Sequence, residues 1–73
     1  MKTKYRHIHF VSDEDKSWAC FDNKTQDGLG WVSYYLPWEK YVVDFINPDC
    51  VFDENCLNDI IDFLNQLNKG DLK

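Results

Sequence analysis

Apolar and polar residues alternate along the first two thirds of the chain, which is the pattern of β-strands with two distinct faces. This alternation covers residues 4–11, 17–22, 30–36 and 40–46. Polar segments separate the four stretches, among them Asp27-Gly28, a strong turn signal, and Pro37-Trp38-Glu39. Asn47-Pro48-Asp49 ends the fourth stretch, and residues 50–52 add a short fifth extended piece. The sequence predicts an antiparallel meander of four to five strands.

The pattern changes to a helical period after residue 53. Apolar residues then recur at spacings of three and four: Leu57, Ile60, Ile61, Leu64 and Leu67. Asp53 is a suitable N-cap and Gly70 a suitable residue just beyond the C-terminus of a helix. We therefore predict a helix over residues 54–68. Its outer face is expected to be solvated and carries Asn58, Asp59, Asp62, Asn65 and Gln66.

Together these elements predict a single α+β domain over residues 1–73, with the helix packed on one sheet face. A four-stranded sheet is roughly 15 to 20 Å wide, whereas one helix is about 10 Å across, so the helix can cover only one face. We expect the covered face to hold Ile8, Phe10, Ala19, Phe21, Val32, Tyr34, Val42 and Ile46. The opposite face would then hold His7, His9, Trp18, Cys20, Trp31, Tyr35, Tyr41, Val43 and Phe45.

Composition narrows the possible partners. The 73 residues include 13 acidic and 8 basic side chains, for a net charge of -5, which disfavours long nucleic acids and anionic membranes. The hydrophobic share of 44% predicts a folded chain, and no apolar stretch is long enough to span a membrane. We expect a cytoplasmic protein. The charge is uneven, because residues 1–10 contain three basic side chains and no acidic one.

Candidate chemistry is sparse, and we expect neither an enzyme nor a cofactor. Gly28-Leu29-Gly30 is too short for a phosphate-binding loop, and a strand rather than a helix follows it. Three cysteines, at positions 20, 50 and 56, make a poor disulfide framework. His7 and His9 would share a strand face and could bind a metal with Cys20, but no fourth ligand is evident. Partly buried strand histidines are the favoured interpretation.

The second sheet face is the main functional signal, because large exposed aromatic patches mark interfaces or binding sites. Three kinds of partner could cover this face: a second copy of the chain, a different protein, or a flat ligand. Alternatively, sheet curvature and the loop at 23–29 could bury the rings within one chain. For a nucleotide ligand, the rings that could stack a base are Trp31, Tyr35, Trp38 and Tyr41. The phosphates would be neutralised by Arg6 and Lys40, helped by Lys24.

Four segments resemble a family of small proteins encoded by phages and prophages: WACFDN at 18–23, GLGWVSYY at 28–35, WEKY at 38–41 and CLNDIIDFL at 56–64. Members often have Arg-Gln where Glu39-Lys40 stands here. The resemblance implies a mobile-element accessory protein, a class whose small acidic members frequently block or sequester components of host defence. No activity is assigned to the family itself.

We therefore expect a non-enzymatic binding protein, a homodimer, that sequesters a nucleotide signal of bacterial immunity. The alternative is an acidic inhibitor that occludes a nucleic-acid-binding or effector protein of the host, using Asp59 and Asp62.

Overall fold

The structure, a computed structural model, describes residues 1–13, 16–45 and 51–69. It contains one four-stranded antiparallel sheet in the order β1-β2-β3-β4 and one helix, α1. The elements are β1 (Ile8–Ser12), β2 (Trp18–Asp22), β3 (Gly28–Tyr35), a 3-10 turn (Leu36–Trp38), β4 (Lys40–Phe45) and α1 (Glu54–Asn68). The predicted α+β meander with a C-terminal helix is confirmed. Residues 51–53 form no strand. Predictions for Ile46, the 47–49 stop, Cys50 and Gly70 lie outside the described residues.

Helix α1 begins where the sequence predicts. The side chain of Asp53 accepts a hydrogen bond from the Cys56 backbone N–H at 2.8 Å, which satisfies one of the free donors at the helix N-terminus. The buried stripe differs from the predicted one: it consists of Ile60, Phe63 and Leu67. Leu57 and Ile61, which the spacing placed in the stripe, are 44% and 53% exposed. Compared with the predicted orientation, the helix is rotated about its axis so that Phe63 faces the sheet, because that ring fills the centre of the core.

The Asp53 N-cap predicts how the stability of the fold depends on pH. The hydrogen bond from the Cys56 N–H lowers the pKa of Asp53 below its ordinary 3.8. A carboxylate with a lowered folded-state pKa stabilises the fold above its unfolded-state pKa, and this contribution is lost as the pH falls through the folded-state value. In Asp53→Asn, which keeps a capping oxygen without the charge, we expect unfolding stability to fall less steeply on acidification below pH 4. Urea denaturation across that pH range measures the slope. An unchanged slope would contradict the prediction, and Asp53→Ala, which removes the cap, should lower stability at every pH.

Strand register decides which side chains share a sheet face. For two of the four strands, β2 and β4, it reverses the predicted facing. Phe10 pairs with Cys20, Trp18 with Val32, and Val32 with Val43. Directly paired residues project to the same face. The helix side therefore carries Trp18 and Cys20 of β2 and Tyr41, Val43 and Phe45 of β4, which were expected on the opposite face. Ala19, Phe21 and Val42, expected beneath the helix, lie on the opposite face. The assignments of Ile8, Phe10 and Val32 are correct, and all three are buried.

The N-terminal residues form a short hairpin, whereas the sequence predicted one continuous strand from residue 4. Lys4 pairs with His9 in an antiparallel bridge, and the Phe10 N–H donates to the Thr3 carbonyl at 2.8 Å. The Tyr5 N–H donates to the Ile8 carbonyl at 2.9 Å, which leaves Arg6 and His7 at the tip. The reversal places Tyr5 beside Ile8 on the helix side, where it is buried. Lys4 lies beside His9 on the opposite side.

The core is an aromatic stack between α1 and the sheet. The Phe63 ring lies parallel to that of Phe10, with centroids 3.9 Å apart. Trp18 meets Phe63 edge-on at 5.2 Å. Leu29 is also buried in this cluster. It is an extra residue in β3, at the point where the pairing with β2 shifts between Cys20 and Phe21. Within residues 1–13, 16–45 and 51–69, no helix has the length and apolar content needed to cross a bilayer.

Candidate functional site

The sheet face turned away from α1, here called the open face, is the candidate site. The register places on it Lys4, His9, Val11, Ala19, Phe21, Trp31, Ser33, Tyr35, Lys40, Val42 and Asp44. Val11, Trp31 and Tyr35 remain 48%, 38% and 43% exposed among the described residues. A sheet with one helix normally has a polar second face. This one is mainly apolar and accessible, as a binding surface would be.

Trp31 lies at the centre of the open face. Its cross-strand neighbours are Ala19 on β2 and Asp44 on β4. Ala19 is too small to cover the indole from the β2 side. Phe21 lies diagonally across from Trp31 and pairs with Gly28, which has no side chain. Two large rings therefore alternate with two small residues on this part of the open face.

A second aromatic cluster lies where β3 ends. Tyr35 pairs with Lys40, and its ring meets that of Trp38 edge-on at 5.1 Å. Pro37 in the first turn of the 3-10 segment supports the reversal that brings Trp38 back over Tyr35. Glu39 closes the turn in the left-handed conformation. Tyr35 is four residues beyond Trp31, about 13 Å along the strand, so one base cannot stack on both rings.

Four of the six predicted ligand-binding residues thus share one part of the molecule, namely Trp31, Tyr35, Trp38 and Lys40. Tyr41 does not join them. It projects to the helix side, where its ring meets that of Tyr34 at 5.4 Å, and the side chain of Asn68 bonds both its backbone N–H and its carbonyl. Arg6 lies at the tip of the N-terminal hairpin, at the opposite end of the sheet from Lys40.

The residues considered for a metal site are also separated. Cys20 is 2% exposed on the helix side, whereas His9 lies on the open face. His7 lies at the hairpin tip and not in a strand, so the two histidines do not share the strand face that their spacing predicted. In the described part of the chain, no three metal-ligating side chains come together.

Asn23, which the sequence analysis placed in a polar loop without a role, joins the hairpin to the sheet. Its amide nitrogen donates to the carbonyls of Tyr5 at 2.8 Å and Arg6 at 3.2 Å. Its amide oxygen lies 2.5 Å from Nδ1 of His9. The turn that carries Asn23 is held by Asp22, whose carboxylate accepts from the backbone N–H groups of Lys24 and Thr25. These bonds lower the pKa of Asp22.

The other side of the hairpin is attached to α1. The Tyr5 hydroxyl donates to Asp62 at 2.8 Å and accepts from Gln66 at 3.0 Å. Gln66 also bonds the backbone N–H and carbonyl of Lys2. Burial and the neighbouring Asp62 carboxylate raise the pKa of Tyr5. Asp62 and Gln66, expected on a purely solvated helix face, therefore hold the N-terminal residues in place.

The sequence analysis missed Lys4, Phe21 and Asn23 as members of the candidate site. The pair Arg6-His7 at the hairpin tip contains no glycine or asparagine, so no residue signalled a two-residue turn there. Comparison of the chain with protein-family models, with curated proteins and with solved structures found no match.

Proposed function

We propose that this protein is a non-enzymatic binding protein that holds a small nucleotide on the open face, with the base stacked on Trp31. The observation that carries the proposal is the position of this indole: it lies at the centre of the sheet face turned away from α1 and is 38% exposed. Ala19 beside it leaves room for a flat ring system. Stacking on an aromatic side chain contributes about 1 to 3 kcal/mol per base and requires no particular base.

The charge distribution favours a ligand with few phosphates. A long single strand would need many cations along its path, and the chain has a net charge of -5. Asp44 lies directly beside Trp31 and would repel a phosphate on the β4 side. Basic residues lie at the margins of the open face and can neutralise one or two phosphates. A mononucleotide or a small signalling nucleotide fits this distribution better than a polymer does.

The resemblance to phage-encoded accessory proteins suggests what such binding could achieve. A protein without catalytic groups can lower the free concentration of a nucleotide signal by sequestering it, and a signal of bacterial immunity is the target that we propose. Action in the cytoplasm of the host cell and assembly as a homodimer are parts of the same proposal. Leu57, Ile61 and Phe45 are exposed away from the open face and could supply a dimer contact that leaves the ligand surface free.

The competing acidic inhibitor has less support. It relies on Asp59 and Asp62 as charges available to a basic partner. Asp62 accepts the hydroxyl of Tyr5, and it is therefore engaged within the fold. Asp53, at the start of the same helix, is engaged as the N-cap. The acidic groups of α1 thus partly serve the fold itself, whereas the Trp31 ring is 38% exposed on the open face.

Replacement of Trp31 tests the proposal. We expect Trp31→Ala to weaken binding of the best of the four ribonucleoside 5′-monophosphates about 5- to 150-fold, since a lost stacking contact of about 1 to 3 kcal/mol has that effect. The matched control is Tyr34→Ala, which removes a half-exposed ring from the same strand on the helix side. Calorimetric titration of both variants measures the affinities. Wild-type affinity in Trp31→Ala, or no saturable binding of any of the four to the wild-type protein, would refute the proposal.

A further inference from the structure

A groove of about 370 Å³ lies between the N-terminal hairpin and the turn that follows β2. Its lining residues are Lys4, Tyr5, His9 and Asn23. The groove adjoins the open face, because Lys4, His9 and Phe21 lie in one cross-strand row of that face. It lies within the basic part of the chain, where Lys2, Lys4 and Arg6 occur with no acidic residue among the first ten.

Hydrogen bonding determines what His9 can offer in this groove. The Asn23 amide nitrogen donates to two backbone carbonyls, so its oxygen must be the atom that faces His9. The 2.5 Å contact is therefore a hydrogen bond donated by Nδ1 of His9. This fixes the ring orientation, and among the described residues Nε2 has no hydrogen-bond partner. The protonated imidazole can donate from Nε2 to an anion.

Lys4 supplies a second donor at the same place. As direct cross-strand neighbours, Lys4 and His9 have Cβ atoms roughly 5 Å apart, so both side chains can reach one tetrahedral anion. The hairpin that carries Lys4 is held at both sides: by the Asn23 amide at the Tyr5 and Arg6 carbonyls, and by the Tyr5 hydroxyl at Asp62. The backbone that carries Lys4 and the ring of His9 are thus positioned before a ligand binds, which reduces the entropy lost on binding.

We infer that this groove is a phosphate-binding subsite in which Lys4 and His9 bind the phosphate of a nucleotide whose base stacks on Trp31. The inference rests on the proposed function and deepens it by assigning the phosphate end. His9 lies on β1 and Trp31 on β3, about 10 Å apart across the sheet and about 7 Å apart along it, which is roughly 12 Å in all. A nucleoside with one or two phosphates can span this distance over Ala19 and Phe21. Lys40, one of the cations expected from the sequence, lies on the other side of Trp31, where Asp44 and Glu39 oppose a phosphate.

The test uses inorganic phosphate, which probes the subsite without a base, and two-dimensional ¹H–¹⁵N NMR of the full chain. We expect saturable shifts at Lys4, His9 and Asn23, and about a fivefold or greater loss of phosphate affinity in Lys4→Gln, since one charge-assisted hydrogen bond is removed. Lys4→Arg should retain most of the affinity. Lys69→Gln is the matched control, because it removes the same charge from an exposed residue at the end of α1.

Each outcome bears on the subsite separately from the base site. No saturable shift at His9, equal losses in Lys4→Gln and Lys69→Gln, or shifts concentrated at Lys40 would overturn the subsite. The four ribonucleosides without phosphate are titrated in parallel. If a nucleoside moves the Trp31 indole signal while phosphate leaves His9 unmoved, the base site stands and the subsite falls. If phosphate shifts the groove signals and no nucleoside or nucleotide moves Trp31, the subsite stands as an anion site and the nucleotide proposal falls.

Discussion

Replacing Phe63 by alanine is expected to leave the protein largely unfolded at 25 °C. Phe63 is fully buried, lies parallel to Phe10 at 3.9 Å and meets Trp18 edge-on at 5.2 Å. Truncation of such a ring costs about 3 to 5 kcal/mol, through lost burial and the cavity that remains. A single core in a domain of this size rarely supplies more than about 3 to 5 kcal/mol of net stability, so most of it would be removed. The same contacts join α1 to two strands, and their loss would release the helix from the sheet.

Urea denaturation followed by circular dichroism measures this effect. Phe63→Leu keeps most of the volume and is expected to lose about 1 to 2 kcal/mol, which keeps the effect measurable if the alanine variant is unfolded from the start. Ile61→Ala is the matched control, because Ile61 lies on the same helix and is 53% exposed. It should change the free energy of unfolding by less than about 1 kcal/mol. A Phe63→Ala protein as stable as this control would show that the core is centred elsewhere.

Gly30→Ala is expected to be the second most damaging single change. Gly30 pairs with Phe45 across β3 and β4, and a Cβ atom at this position would lie 2.6 Å from the Asp44 carbonyl oxygen and 3.3 Å from the Phe45 Cα. Both are backbone atoms, so the contact can be relieved only if the two strands move apart. We expect a loss of about 1 to 3 kcal/mol, the usual cost of overpacking.

Ser33→Ala is the control for Gly30→Ala, since it lies on the same strand and adds no atoms near β4. Thermal unfolding of both variants gives the comparison, and amide NMR signals of β4 should shift only in Gly30→Ala. Unchanged stability would mean that β3 and β4 are further apart than described. Because Asp44 neighbours Trp31, we expect the NMR signals of Trp31 on the open face to shift in Gly30→Ala as well.

The sequence predicted the elements well because each depends on local pattern. The Asp53 cap and the three- and four-residue spacing identified α1 within its observed bounds. The strands of the meander were recognisable from alternation. Asp27-Gly28, expected as a turn, instead leads into β3, and the turn lies at residues 23–25. Faces were harder to predict, because β2 and β4 carry apolar side chains on both sides. For such strands, alternation shows that side chains switch faces at every residue, but not which set faces the helix. Only the pairing of Phe10 with Cys20 and of Val32 with Val43 determines which set does.

The prediction brought together the site residues of β3 and of the turn after it, from Trp31 to Lys40, but not those contributed by other segments. Trp31 and Tyr35 share a face because both belong to β3 at even spacing, and that part of the prediction needed no register. Tyr41 was misplaced with the rest of β4. The Lys4 and Asn23 contributions arise from contacts between segments, one through the hairpin and one through a side-chain amide that bridges to it. No local pattern in the sequence indicates either contact.

The central claim is that the open face is a ligand-binding surface centred on Trp31. The most direct measurement is the map of ¹H–¹⁵N chemical-shift changes on the wild-type protein titrated with the ribonucleoside 5′-monophosphates. We predict that for at least one of them the saturable changes fall on Ala19, Phe21 and Trp31 and continue to Lys4 and His9, while residues of α1 stay unmoved. Changes confined to α1 or to the Trp38 end of the sheet, or no saturable change with any of the four, would contradict the account.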